Sequence, residues 1–122
     1  MIRVMVFGPD GVGKSDLIRL AQSKGIPAYD VEAFGHNYED RKKGFKVLES
    51  MEKSDYILFG AADLKLADIN PFMKTVLLLP PNYDQLIEKS DQYDYVLDDV
   101  NVNFSLLKDI LIKTNCPKEY LF

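Results

Sequence analysis

Cysteine, arginine and long apolar stretches are what this chain has least of. The single Cys116 leaves no partner for an internal disulfide and fits a reducing cytoplasm. It stands in a polar stretch with no histidine nearby in sequence, so no thiol chemistry is argued for it. No apolar stretch approaches the length needed to span a membrane, and Arg3 interrupts an N-terminus already built as a strand. The expectation is a cytoplasmic protein without a membrane partner. Net charge is −4, which argues against a general nucleic-acid or membrane surface. Arginine occurs three times, at Arg3, Arg19 and Arg41, which limits the cations able to clamp a phosphate in two directions at once. At 122 residues the chain reads as one domain, 1–122, with residues 114–122 as a tail.

One stretch organises the rest. Gly8-Pro9-Asp10-Gly11-Val12-Gly13-Lys14-Ser15 fits G-x-x-x-x-G-K-[ST], the phosphate-binding P-loop. Apolar Ile2, Val4, Met5, Val6 and Phe7 precede it as a strand. Leu17, Leu20 and Ala21 share one face of the helix, 16–23, that follows. The motif therefore sits between a strand's end and a helix's start, where inward-pointing N–H groups and the helix dipole favour an anion. The binding residues expected are Gly8, Asp10, Gly11, Val12, Gly13, Lys14, Ser15 and Asp16, with Lys14 on the β- and γ-phosphates and the Ser15 hydroxyl on Mg²⁺. The carboxylates of Asp10 and Asp16 work against an anion unless they face outward or reach the metal.

Strand and helix signals alternate along the chain. Strands are expected at 26–30, 56–59, 75–79 and 93–97, with helices at 37–53, 61–69, from Asn82 onward, and 101–113. Short connections between alternating elements mean an α/β fold with a parallel sheet covered on both faces, a three-layer α/β/α arrangement.

The residues 7–17 resemble the guanylate kinase loop S-G-P-S-G-V-G-K-S-T-L, with Asp10 for a serine and Asp16 for a threonine. Val76-Leu77-Leu78-Leu79-Pro80-Pro81 and Tyr93-Asp94-Tyr95-Val96-Leu97-Asp98-Asp99 are similar to that family's last two strands. Gly25-Ile26-Pro27-Ala28-Tyr29-Asp30-Val31-Glu32 is similar to the second strand of shikimate kinase and dephospho-coenzyme A kinase, which ends in D-x-D. The resemblance implies a P-loop NTPase fold of the kinase type, with five parallel strands in the order 2-3-1-4-5. It also implies ATP (or GTP) and Mg²⁺ as cofactors, and a nucleotide or small metabolite as phosphoryl acceptor, in a monomer or homodimer. The guanylate kinase monophosphate domain and arginine-bearing lid have no counterpart, which leaves a nucleotide-binding or regulatory protein without kinase activity as the alternative. A GTPase is a weaker third reading, since no N-K-x-D follows a strand.

Beyond the loop, Asp30 is expected on the acceptor or metal side of the cleft, or as the cap of the next helix, with Glu32 beside it. Asp63 is a metal candidate or an acid favoured by a helix start. Gly60-Ala61-Ala62 lets a substrate approach, or packs tightly. Arg41 is a catalytic phosphate clamp or part of a solvated helix face with Lys42 and Lys43. Arg19 is placed on the far part of the first helix, away from the chemistry. His36 reads as a loop residue, and Asp98 and Asp99 as acids at the start of the last helix.

Overall fold

The structure is a computed structural model that describes residues 1–83 and 91–121. The helix expected from Asn82 falls mainly on residues outside that description, as does Lys89. Five strands form one sheet in the order β2-β3-β1-β4-β5: β1 (Ile2–Phe7), β2 (Ala28–Asp30), β3 (Tyr56–Gly60), β4 (Lys74–Leu78) and β5 (Tyr95–Leu97). Every pairing is parallel, with Met5 opposite Phe59 on one side and Thr75 on the other. This is the order that the kinase resemblance implies.

β1 shows why the sheet is covered twice. Side chains alternate along a strand, so Val4 and Val6 face one layer while Met5 and Phe7 face the other. The first layer holds α1 (Lys14–Ser23) and α3 (Phe104–Lys113), with Leu17, Ile18, Ala21, Leu107 and Ile110 packed on Val4, Val6, Leu58 and Leu78. The second holds α2 (Tyr38–Met51) and two 3₁₀ turns, Val31–Phe34 and Leu64–Ile69, through Phe45, Val31 and Leu66. A central strand buried on both faces has to be apolar throughout. Val4 to Phe7 meet that requirement at no more than 1% exposure each.

Element ends differ from the expected ones for identifiable reasons. Asn37 caps α2 and Asn103 caps α3, each side chain accepting the N–H three residues on. Asp98 and Asp99 therefore lie outside the last helix. β5 begins at Tyr95 because the Asp94 carboxylate takes the Thr75 N–H at 2.8 Å, where a strand carbonyl would otherwise pair. The helix expected at 61–69 is a 3₁₀ turn starting at Leu64, capped by Asp63 on the Lys65 N–H at 3.0 Å. Gly44 sits inside α2 because a Cβ there would lie 2.7 Å from the Phe34 Cβ. It is the contact point between the helix and the first 3₁₀ turn.

The stretch expected as a tail begins inside the core. Thr114 is fully buried, and its hydroxyl lies 2.7 Å from the Tyr56 hydroxyl while donating to the Ile110 carbonyl. Cys116 and Tyr120 pack against the same cluster, and a 3₁₀ turn runs from Lys118 to Tyr120. Burial accordingly pushes the Cys116 thiol and, strongly, the Tyr56 phenol above their ordinary values. Among the described residues no helix is long and apolar enough to cross a membrane.

Candidate nucleotide-phosphate site

The phosphate loop leaves β1 at Gly8 and enters α1 at Lys14. Two positions admit only glycine. A Cβ on Gly8 would lie 2.9 Å from the Leu78 carbonyl oxygen of the neighbouring strand. Gly13 has φ +102°, and a Cβ there would lie 2.8 Å from Val102 Cγ2, so the segment before α3 rests directly on the loop. Gly13 is also the N-cap of α1, and no side chain caps that helix. Its first-turn N–H groups are thus left to an anion, where the dipole adds to the attraction.

Lys14 turns its ammonium back on the loop, donating to the Gly8 carbonyl at 2.7 Å. The Ser15 hydroxyl donates to Asp30 Oδ2 at 3.0 Å. Asp30 Oδ1 accepts the Glu32 N–H at 3.1 Å and so caps the turn that follows β2. The cap reading of Asp30 is thus observed at Oδ1, while Oδ2 is turned to the Ser15 hydroxyl of the loop. Glu32 Oε1 is shut from solvent and takes no hydrogen bond from the described residues.

A cavity of about 350 Å³ opens here, lined by Asp10, Gly11, Gly13, Lys14 and Ser15 of the loop, by Asp16 and Arg19, and by Glu32, while the Val12 side chain turns into the core. Arg19 corrects the reading that placed it far along the helix. It follows Ser15 by four residues, one helical turn, and so returns to the face of Ser15. That spacing was the available signal. Its guanidinium pairs with the Asp16 carboxylate, both well exposed, which answers the charge that Asp16 brings to an anion site. Asp10 remains exposed at the loop's outer edge.

The other expected residues lie apart from this cavity. Arg41 uses its Nε on the Gly35 carbonyl at 3.1 Å and does not line it. Asp63 lines a different cavity, with Gly8, Ala62 and Tyr93. Gly60 is a packing residue, its missing Cβ only 3.1 Å from Ile18 Cγ1, whereas exposed Ala62 borders open space. His36 is exposed on the loop before α2.

The donor set suits a hard divalent cation. Ser15 Oγ and Asp30 Oδ2 are hard oxygen donors at the end of an anion cradle, and Glu32 lines the cavity beside them. Among the described residues no three acidic, histidine or cysteine side chains gather as a closed metal cage. Mg²⁺ is commonly held by one or two carboxylates together with substrate phosphates and water, and needs no such cage.

No family model matches the chain, and no curated protein is found similar to it. Solved structures are similar to it over nearly its whole length. A sugar kinase from Janibacter sp. HTCC2649 matches with a TM-score of 0.60 at 15% identity, covering 100% of this chain and 99% of that one. Shikimate kinase from Aquifex aeolicus matches with a TM-score of 0.58 at 17% identity, over 93% of this chain and 96% of that one. APS kinase from Mycobacterium tuberculosis matches with a TM-score of 0.55 at 17% identity, over 91% and 95%. The guanylate kinase likeness rests on the loop and strand residues alone. At these identities the likeness is one of fold, and the fold is that of the P-loop kinases.

Proposed function

We propose that this chain is a Mg²⁺-dependent phosphotransferase that binds ATP or GTP at Gly8 to Ser15 and passes the γ-phosphoryl group to a nucleotide or small metabolite. The observation that carries the proposal is the Ser15–Asp30 hydrogen bond, because it sets a metal-binding hydroxyl and a carboxylate together beside the anion cradle. The similarity in fold to a sugar kinase, a shikimate kinase and an APS kinase supports the same reading. When bound, Mg²⁺ neutralises charge on the phosphates as it shifts between oxygens. The chain's own part is to position. The loop N–H groups and the α1 dipole hold the phosphates, and Lys14 leaves the Gly8 carbonyl to reach the β- and γ-oxygens. Ser15 and Asp30 would hold the metal, and Arg41, now on the Gly35 carbonyl, would supply the cationic clamp if it turned toward the transferring group. The setting is a cytoplasmic monomer or homodimer.

The second reading, a nucleotide binder without transfer, has an observation in its favour. Arg41 is held by the Gly35 carbonyl and does not line the loop cavity, and the charge of Arg19 is already paired with Asp16, so neither guanidinium is poised as a clamp. Calorimetry with Mg·ATP and Mg·GTP tests what the two readings share. Lys14→Ala is expected to weaken binding by at least about tenfold, and equal affinities for variant and wild type would remove the nucleotide site. Single-turnover ADP formation with acceptors then separates kinase from binder.

A further inference from the structure

A second cavity lies against the start of the phosphate loop, with a volume of about 400 Å³. That is within the roughly 300–1,000 Å³ of small-molecule sites. Phe7 and Gly8 reach it from the end of β1, Asp63 from the segment after β3, and Gln92 and Tyr93 from the segment before β5. Gly8 is the residue whose carbonyl holds the Lys14 ammonium at 2.7 Å, so this cavity adjoins the place where a γ-phosphoryl group would sit. It opens at the carboxyl ends of β1 and β3, where ligands bind in open α/β sheets.

The chemistry of its lining is specific. Asp63 is the charged residue among the described residues that line it. One carboxylate oxygen, Oδ1, accepts the Lys65 N–H at 3.0 Å, leaving Oδ2 and further lone pairs for a ligand hydroxyl. Tyr93 packs edge-on against Phe7 with ring centroids 5.5 Å apart, forming an aromatic wall. Burial raises the Tyr93 phenol above its ordinary value, which keeps it a neutral O–H donor. Exposed Gln92 adds an amide able to donate and accept. A carboxylate repels phosphate- and carboxylate-bearing acceptors, whereas a hydroxyl-rich neutral molecule sets its C–H faces on the aromatic wall and its O–H groups on Asp63 and Gln92.

We infer that this cavity takes the phosphoryl acceptor as an uncharged polyhydroxylated molecule, with Asp63 accepting the hydrogen bond of the hydroxyl that is phosphorylated. The inference rests on the phosphotransferase reading above. In the transfer, the acceptor oxygen forms a bond to the γ-phosphorus as the bond from that phosphorus to the β,γ-bridging oxygen breaks. The electron pair leaves on the nucleoside diphosphate, and the hydroxyl proton passes to the Asp63 carboxylate. Asp63 thus serves the acceptor, and Asp30 with Ser15 serves the metal.

The test uses the full chain with Mg²⁺ and a non-hydrolysable ATP analogue, following thermal unfolding across a panel of acceptors. Neutral members are glycerol, ribose, glucose and inositol; charged ones are gluconate, shikimate, ribose 5-phosphate, GMP and glucosamine. The expected result is a further rise in melting temperature with a neutral member, matched by single-turnover ADP release when ATP replaces the analogue. Asp63→Asn keeps a good capping oxygen and is expected to weaken that acceptor by at least about tenfold. Analogue affinity and Mg²⁺ dependence should stay unchanged in this variant. Preference for a charged acceptor overturns the inference, as does an Asp63→Asn variant with wild-type acceptor affinity, or one altered in Mg²⁺ dependence instead. A response to the analogue with none to any neutral acceptor sinks the inference alone. No response to the analogue sinks the phosphotransferase reading, and the inference with it.

Discussion

Ser15 and Asp30, fifteen residues apart in sequence, meet in a 3.0 Å hydrogen bond that ties the first turn of α1 to the end of β2. The same carboxylate caps the turn beginning at Val31. One side chain therefore joins the phosphate loop to the turn after β2, and its cap and its proposed metal role can be tested separately.

Asp30→Asn should keep the cap, because asparagine caps about as well as aspartate. The expected change in stability is below about 1 kcal/mol by denaturant unfolding. Without the carboxylate's charge, the Mg²⁺ dependence of nucleotide binding should weaken severalfold in calorimetry. A large fall in melting temperature with unaltered Mg²⁺ dependence would reduce Asp30 to a cap.

Asp16 holds Arg19 on the helix surface beside the phosphate cradle. Asp16→Thr removes a negative charge and frees the guanidinium. Nucleotide affinity should rise by a few-fold at low salt, and the gain should shrink toward high salt, since both groups are exposed and screened. Unchanged affinity at low salt would show that Arg19 does not reach the phosphates.

Gly44→Ala poses two opposed effects. Alanine is favoured over glycine inside a helix by about 1 kcal/mol. Against it, the new Cβ lies 2.7 Å from the Cβ of Phe34, close to that residue's backbone rather than at a flexible end. Overpacking of this kind costs about 1–3 kcal/mol, so the variant should be less stable by denaturant unfolding. In a Phe34→Ala background the same change should become stabilising, and the double-mutant cycle reads the contact directly.

Glu52 accepts hydrogen bonds from the Ser54 hydroxyl, the Tyr29 hydroxyl and the Ser54 N–H, which hold its carboxyl at about 2, below the ordinary 4.5. A depressed carboxylate value means stability that is present above about 4.5 and is lost as pH falls toward 2. Melting temperature followed through that window should fall more steeply for wild type than for Glu52→Gln. The Tyr29 phenol, raised chiefly by its bond to Glu52, should titrate at lower pH in the variant.

Much of this molecule can be read from sequence because its signals are local. The apolar run Val4 to Phe7, the glycine pattern and the amphipathic start of α1 are neighbours in the chain, and each constrains the next. What escapes such a reading depends on partners remote in sequence. Thr114 looks like the start of a polar tail until Tyr56 is placed beside it. Gly44 looks like a weak point in a helix until Phe34 is packed against it. Asp94 looks like part of a strand until its carboxylate replaces a strand carbonyl at Thr75. Arg19 is different: its one-turn spacing from Ser15 is a local signal, and it sets the side chain beside the loop cavity. For the candidate site, the phosphate loop and Asp30 were legible, whereas the cavity holding Asp63 and Tyr93 joins segments that no motif connects.

The 2.7 Å bond from the Lys14 ammonium to the Gly8 carbonyl also bears on the thermodynamics of ligand entry. A lysine that is free before binding surrenders rotamer freedom worth up to about 2 kcal/mol when it is fixed. Here much of that ordering is present without a ligand, and under the nucleotide-binding proposal a phosphate oxygen would replace an oxygen the chain already supplies. Entry is therefore an exchange of acceptors rather than the capture of a loose cation. The Gly8 carbonyl left behind would then need a new donor, so giving up this bond would set part of the cost of nucleotide entry.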